Sequence, residues 1–384
     1  GFGGFVTSST KSNADIRPEV VTELEYGVDL ALLKNRLKLG LTLYTQNTED
    51  AILQFPVAPS TGYSYELKNA ATLENKGFEA SIDFDVIETP DHLFSTKFNY
   101  SKNKNIVTSL AGSENVMVGG FYAAAGYAVE GEPFGVIRGG DWLKTTSGVD
   151  SLDVNGFPME NPAVSIIGDP NPDWLSNLRF SYNYKSTLRV SALLDIKEGG
   201  DMWNGTKGAL YFFGAHGETT KLTTVPYTIT TDDDGNEIME TGIKTWGGGD
   251  LGVSPDIINN DDGTLSFRGY LKDFGGGMVA INQDAYLDGP FSGFTGPASQ
   301  FVEDAGYVKL REIAISYLYS GHLTKQLGVT SLDFSLTLRN LKTWTEYSGI
   351  DPESNLVGTA NVRGLDYFGN PQTRSILFNL IVNL

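Results

Sequence analysis

Cysteine is absent from this 384-residue chain, so no disulfide framework can be built; the absence is compatible with a cell-envelope location without requiring one. Long apolar runs are missing too. No stretch approaches the ~18 consecutive apolar residues that a spanning helix needs. A mean hydropathy of −0.17 with 40% hydrophobic residues excludes a helical membrane bundle. A transmembrane β-barrel escapes that test, because residues facing lipid and lumen alternate and dilute the average. Basic residues are scarce, 28 against 47 acidic ones, and the net charge of −19 argues against nucleic acid as a partner. A solvated acidic surface accounts for the excess. Histidine is limited to His92, His216 and His322, none at metal-ligand spacing from another. No G-x-S-x-G elbow is present, and Gly247–Gly249 and Gly275–Gly277 lack the Lys-Thr and helix of a phosphate cradle. No catalytic constellation emerges, and no enzyme activity is expected. The opening Gly1–Phe5 has no initiator Met, basic region or signal-peptide core, so the chain reads as part of a longer polypeptide.

Alternation with a period of two is what the chain has in quantity. Leu24, Tyr26, Val28, Leu30 and Leu32 oppose Glu23, Glu25, Gly27 and Asp29, which puts one apolar and one polar face on a strand. Leu37 to Leu43, Phe78 to Val86 and Phe94 to Tyr100 repeat the pattern, as do Leu178 to Tyr184, Leu188 to Ile196, Ile313 to Tyr319 and Leu332 to Leu338. The last strand, Ile376, Phe378, Leu380, Val382 and Leu384, runs apolar to the final residue. Adding a weaker segment at Phe134 to Leu143 gives roughly ten spanning strands. Segments of about 10 residues suit a tilted membrane span, whereas soluble strands average about half that. Connections alternate in length. Tight ones follow Leu33, Val86 and Tyr184, and long ones occupy Thr48 to Asn75, 101–176, Lys197 to Gly306 and Lys342 to Thr373. Such asymmetry is expected of periplasmic turns and extracellular loops. The 197–306 stretch shows no dependable strand pair and is expected to be loop.

Five segments then carry a family resemblance. Ile16-Arg17-Pro18-Glu19 followed by Glu25-Tyr26-Gly27 resembles the "L-K-P-E … E-x-G" segment of SusC/RagA-type TonB-dependent transporters of Bacteroidetes. Asn69 to Glu79 is similar to their "N-A-G-x-x-x-N-K-G-x-E", and Gly168 to Trp174 to "G-x-x-x-P-D-W". Tyr307 to Glu312 resembles "Y-x-x-L-R-x", and Arg339 to Glu353 "x-N-L-x-x-W-T-x-Y-x-G-x-D-P-E". The five occur in family order. The resemblance implies an all-β fold, in which residues 1–384 are the carboxyl-terminal part of an antiparallel 22-stranded barrel in the outer membrane, with the plug and amino-terminal extension absent from this segment. It further implies import of oligosaccharide or peptide, a SusD-like surface lipoprotein as lid, and energy from the TonB complex acting through the plug.

Loop aromatics are the functional candidates. Trp203, Tyr211, Phe212, Phe213 and Trp246, with Asp141 and Trp142 earlier, combine rings that stack on sugars or peptides with a carboxylate that accepts hydrogen bonds. The competing role is packing of the loops themselves. Tyr26, Tyr44, Tyr182, Tyr184, Tyr317 and Tyr319 suit an interface girdle or barrel wall. Asp232-Asp233-Asp234-Gly235-Asn236-Glu237 gathers oxygen ligands as calcium loops do, with Asp232 and Asp234 the candidates, although it lacks the twelve-residue spacing and a hairpin turn is the simpler reading. Two other functions stay open: a barrel of this family serving as a structural or secretion-associated subunit, and a soluble β-sandwich adhesin, glycan-binding protein or glycan hydrolase.

Overall fold

The computed structural model describes residues 8–121, 123–356 and 362–384. Gly1–Phe5 lie outside the described residues. Nine long strands form one antiparallel sheet, each next to its sequence neighbour in the wall: β1 (Val20–Leu32), β2 (Leu37–Pro56), β3 (Tyr65–Glu88), β4 (His92–Ser109), β5 (Trp174–Tyr184), β6 (Leu188–Glu198), β7 (Tyr307–Tyr319), β8 (Ser331–Thr345) and β9 (Ser375–Asn383). The two-residue strand Thr10–Lys11 adds to β3 in parallel.

The register explains why the alternation reads so cleanly. Leu30, Leu39, Ile82, Phe98, Leu178 and Leu194 make one continuous row across six strands. Phe94, Tyr182, Val190, Ile315, Leu336 and Phe378 make another across β4 to β9. This face is uncovered: Val28, Leu43, Ile315 and Phe378 are exposed. A sheet with one apolar face open from edge to edge has no core partner, which excludes the sandwich and fits a wall bathed in hydrocarbon. The opposite face carries charge in register. Asp83, Lys97, Arg179, Glu312 and Arg339 lie along one row interrupted by Leu193, with Lys97–Asp83 at 2.8 Å, Arg339–Glu312 at 3.1 Å and Arg179–Glu312 at 3.7 Å. From Tyr184 to Trp174 the strand rises about 33 Å, or about 25 Å across the bilayer at the usual tilt.

Three expectations are corrected. Thr48 to Asn75 is mostly strand: β2 and β3 continue, 20 and 24 residues long, leaving only residues 57–64 as connection, and their upper ends pack Ala51, Leu53 and Ala71 against Val107, Val116 and Ala128. The Phe134 to Leu143 segment does not span. Its strand is Val136–Gly139, buried in a separate sheet with Asn115–Gly120, Ala124–Val129 and Ser165–Gly168. Residues 197–306 are folded, with a helix at Gly205–Phe212 and several short strand pairs that include Leu222–Pro226 with Thr264–Arg268 and Tyr270–Asp273 with Met278–Ile281. Period-two reading fails there because strands of three to five residues show too few alternations to register.

The exposed rows predict a depth-dependent penalty. Phe180→Arg, in the row between the two above, should cost roughly 2–4 kcal/mol in the folding equilibrium of the barrel in lipid vesicles, whereas Asn183→Arg on the lumen side should cost far less. Equal costs would contradict the assignment of faces.

Candidate functional site

The long connections all leave the same end of the wall and condense into one lobe. Its core joins Trp142 and Phe157 from 110–173, Trp203, Tyr211, Tyr286, Phe291 and Phe301 from 199–306, and Val362 and Leu365 from 346–374. The loops therefore hold each other, and the wall holds them through the apolar contacts of Val116 and Ala128 and, at loop 346–374, through ions.

That attachment is built by a bulge. Pairing of β6 with β7 passes from Leu193/Glu312 to Leu194/Leu310, leaving Arg311 as an extra residue; on β8, Asn340 and Leu341 stand opposite it, with Asn340 at φ 53°. An inserted residue re-aims side chains. It lets Lys309, Arg311 and Glu312 all turn to the lumen side, although two of them are adjacent in sequence. Arg311 then spans two carboxylates. Its Nη2 lies 2.6 Å from Asp195 Oδ2 and 2.5 Å from Glu353 Oε1, while Nη1 donates to Glu353 Oε2 at 2.8 Å. Lys309, almost fully buried, donates to Asp351 Oδ1 at 2.7 Å and Glu353 Oε2 at 2.5 Å. Tyr307 Oη donates to Glu353 Oε1 at 2.8 Å, and its ring lies 4.8 Å from the Lys309 ammonium. Gln372 closes the cluster by donating through Nε2 to Glu353 and through its backbone N–H to Asp351.

Glu353 thus accepts from four side chains. Burial pushes its carboxyl upward, but the Arg311 and Lys309 donors outweigh that and hold it at about 2. Asp351 is also held low, burial again being outweighed by Lys309 and two backbone N–H groups. Further along the same loop, Ser348 donates to Glu303, which also takes Lys207 Nζ at 3.0 Å, and Tyr347 Oη donates to Asp366 at 2.9 Å. The residues that the D-P-E and L-R motifs supply are an ionic tether between loop 346–374 and the wall.

A second motif acquires a physical meaning in the lumen. The Tyr44 ring crosses over Gly77 and its Oη donates to Asn103 at 3.2 Å. A Cβ on Gly77 would sit 2.5 Å from that oxygen and equally close to the Lys102 carbonyl. Glycine is required at this point so that a tyrosine can lie flat against the wall. Tyr44 therefore lines the lumen, while Tyr182 belongs to the lower girdle with its Oη 2.7 Å from His92 Nδ1.

The aromatic candidates separate into two groups. Trp142, Trp203 and Tyr211 are buried in the lobe core, with Trp203 only 1% exposed and Tyr211 donating to Glu218; packing claims them, and they present no face to a ligand. Asp141 caps its own chain, accepting the Trp142 N–H at 2.8 Å. Phe212 is half-buried, Phe213 is 63% exposed, and both pack edge-on around Phe294. Trp246 is exposed in a separate turn and joins none of the others. Missed from sequence was what Phe213 belongs to. Phe294 contacts Phe121 at 6.5 Å, Phe121 stacks on Tyr367 at 4.4 Å, and Tyr367 meets the exposed Phe368 at 5.0 Å. Three loops each contribute rings to this surface, and no periodicity in any one of them announces it. Asp232 serves as the turn of the hairpin Thr228–Thr231 with Glu237–Glu240, where its Oδ1 accepts the backbone N–H of Asp234 and of Asn236. Among the described residues no group of three or more His, Asp or Glu side chains is placed to hold a metal ion.

Against this geometry the relatives can be set. Residues 1–195 match the family model "TonB dependent receptor-like, beta-barrel". The chain belongs to that family. TonB-dependent receptor P3 of Formosa agariphila is 26% identical over 96% of this chain and 34% of its own length. TonB-dependent receptor SusC of Bacteroides thetaiotaomicron is 28% identical over 32% of this chain and 12% of its own length. In fold, the chain superposes on the structure of the RagAB peptide transporter with a TM-score of 0.62, at 16% identity, covering 95% of this chain and 35% of that one. The chain spans about a third of the length of the relatives that it matches over nearly its whole extent. The nine-stranded sheet is accordingly an outer-membrane β-barrel wall.

Two measurements test the tether. Glu353→Gln should lose about 2 kcal/mol of local stability, read as a roughly thirtyfold faster hydrogen exchange in residues 346–356 with the wall strands unaffected. Because the folded carboxyl is depressed, its stabilising effect is fully present above the ordinary carboxylate range and is lost as pH falls through that range toward about 2. A fluorophore attached at Ser354 should report loop release in that window and none between pH 6 and 8.

Proposed function

We propose that this chain is the wall and extracellular lobe of an outer-membrane active transporter that imports oligosaccharide or peptide. A SusD-like lipoprotein would close over the lobe, and the TonB complex would supply energy through a plug seated in the lumen. The observation that carries this reading is the run of half-buried and exposed rings, Phe213, Phe294, Phe121, Tyr367 and Phe368, drawn from three loops onto one lobe. Flat rings stack on sugar or on peptide side chains and cost little entropy to hold. The tether supports the same reading, since it fixes the loop that carries Tyr367 and Phe368 against the wall. In this mechanism the chain makes and breaks no bonds; it binds, orients and gates.

The test uses the full transporter in its own outer membrane. Phe213→Ala with Phe368→Ala should weaken nutrient binding by about tenfold, from two ring contacts worth roughly 0.5–1.5 kcal/mol each. Uptake should stop when TonB is deleted, and a surface lipoprotein should copurify. Uptake that is absent in the wild type, with secretion components copurifying in place of a lipoprotein, would favour the structural-subunit role.

A further inference from the structure

The outer surface of the wall carries a cationic patch in a chain whose net charge is −19. Register places Phe78 of β3 opposite Lys102 of β4, and Lys76 opposite Lys104. Alternation puts these four on the lipid side with Ile82 and Phe98, while Asn75, Glu79 and Asn103 line the lumen. From the level of Lys102 downward runs a stack of rings. Phe78 and Tyr100 are 5.3 Å apart and parallel to within 29°, and Tyr100 and Trp174 are 5.6 Å apart and parallel to within 25°. Such rows mark the level where hydrocarbon gives way to headgroups. Lys102 lies about 7 Å and Lys104 about 13 Å beyond Tyr100 along the strand, so their ammonium groups reach the phosphate layer. Lys76 pairs with Glu74 at 2.7 Å. Lys102 and Lys104 are exposed and have no ion pair or hydrogen bond from their ammonium groups among the described residues.

We propose that Lys76, Lys102 and Lys104 form a docking site for a phosphate-bearing lipid of the outer leaflet, its headgroup on the three ammonium groups and its acyl chains along the apolar rows below. Charge complementarity selects the headgroup, and continuity with the stacked rings and the Ile82–Phe98 row supplies the place for the chains. A soluble polyanion would gain the charges but leave the ring row bare. The lipid uses both.

The experiment uses the full transporter extracted from its outer membrane and placed in nanodiscs of phosphatidylcholine with phosphorylated lipid A, dephosphorylated lipid A, or neither. Retained lipid is counted by native mass spectrometry. Each lysine near an anionic surface is worth roughly a factor of five, so the triple variant K76Q/K102Q/K104Q should lose affinity for phosphorylated lipid A on the order of a hundredfold. K76R/K102R/K104R should retain the lipid, and both variants should keep the heat-dependent gel mobility of a folded barrel. Equal retention of phosphorylated lipid A by the Gln variant, or of dephosphorylated lipid A by the wild type, would overturn the proposal. Displacement of the lipid by inorganic phosphate alone would mark a free-anion site and overturn it as well.

Discussion

Backbone hydrogen bonding in the absence of water is the constraint from which the rest of this molecule follows. Within hydrocarbon an unpaired N–H or C=O has no solvent to turn to, so the spanning segments must be strands laddered edge to edge. That requirement produces the single broad sheet, and the sheet in turn frees one face for apolar rows and one for charge. The rows from Leu30 to Leu194 and from Phe94 to Phe378 are the lipid side of that bargain. The Asp83, Lys97, Arg179, Glu312 and Arg339 series is the lumen side, where charges in register satisfy one another.

The same ladder makes its one irregularity useful. A regular strand would send Lys309 and Arg311 inward and Glu312 outward into lipid. The extra residue in β7 turns Glu312 inward as well, and Arg311 gains the reach to bridge Asp195 on the neighbouring strand and Glu353 on a loop. Buried ion clusters offer little net stability over apolar packing, but they specify which partners meet. Here the specificity is positional: one loop is fixed on one pair of strands. The lobe core then extends that fixed point, because Tyr347 and Asp366 of the tethered loop lie beside Trp203 and the helix at Gly205–Phe212.

Legibility in the sequence followed strand length. β1 and β9 show their alternation from end to end, and each of the nine wall strands carries enough repeats to be seen. The upward extensions of β2 and β3 were not visible, because above the membrane both faces meet protein or water and the apolar alternation lapses into Asn, Thr and Glu. Alternation shows β7 only from Ile313 onward, since the bulge at Arg311 shifts the phase and hides Val308 and Leu310. The lobe shows no periodicity because its strands are short and its core is drawn from distant segments. For the same reason Trp142, Trp203 and Tyr211 looked like ligand contacts: sequence shows that a ring is present, and only tertiary packing shows whether its face is free. The five family segments were legible as wording, while their physics was not. Gly77 beneath Tyr44, and Asp351 and Glu353 beneath Lys309 and Arg311, need three dimensions to be understood.

The shared core of the lobe bears on how such a protein diversifies. Rings from three separate excursions sit over one packed interior, so exchanging a single excursion for that of a relative would expose Trp203 or Phe291 to a poorly matched neighbour. The chemistry of the lobe surface therefore has two accessible routes of change. Point substitutions can alter the outermost rings, Phe213 and Phe368, without disturbing what lies beneath. Wholesale change requires the excursions to be inherited together, along with the wall residues Asp195, Lys309 and Arg311 that hold one of them.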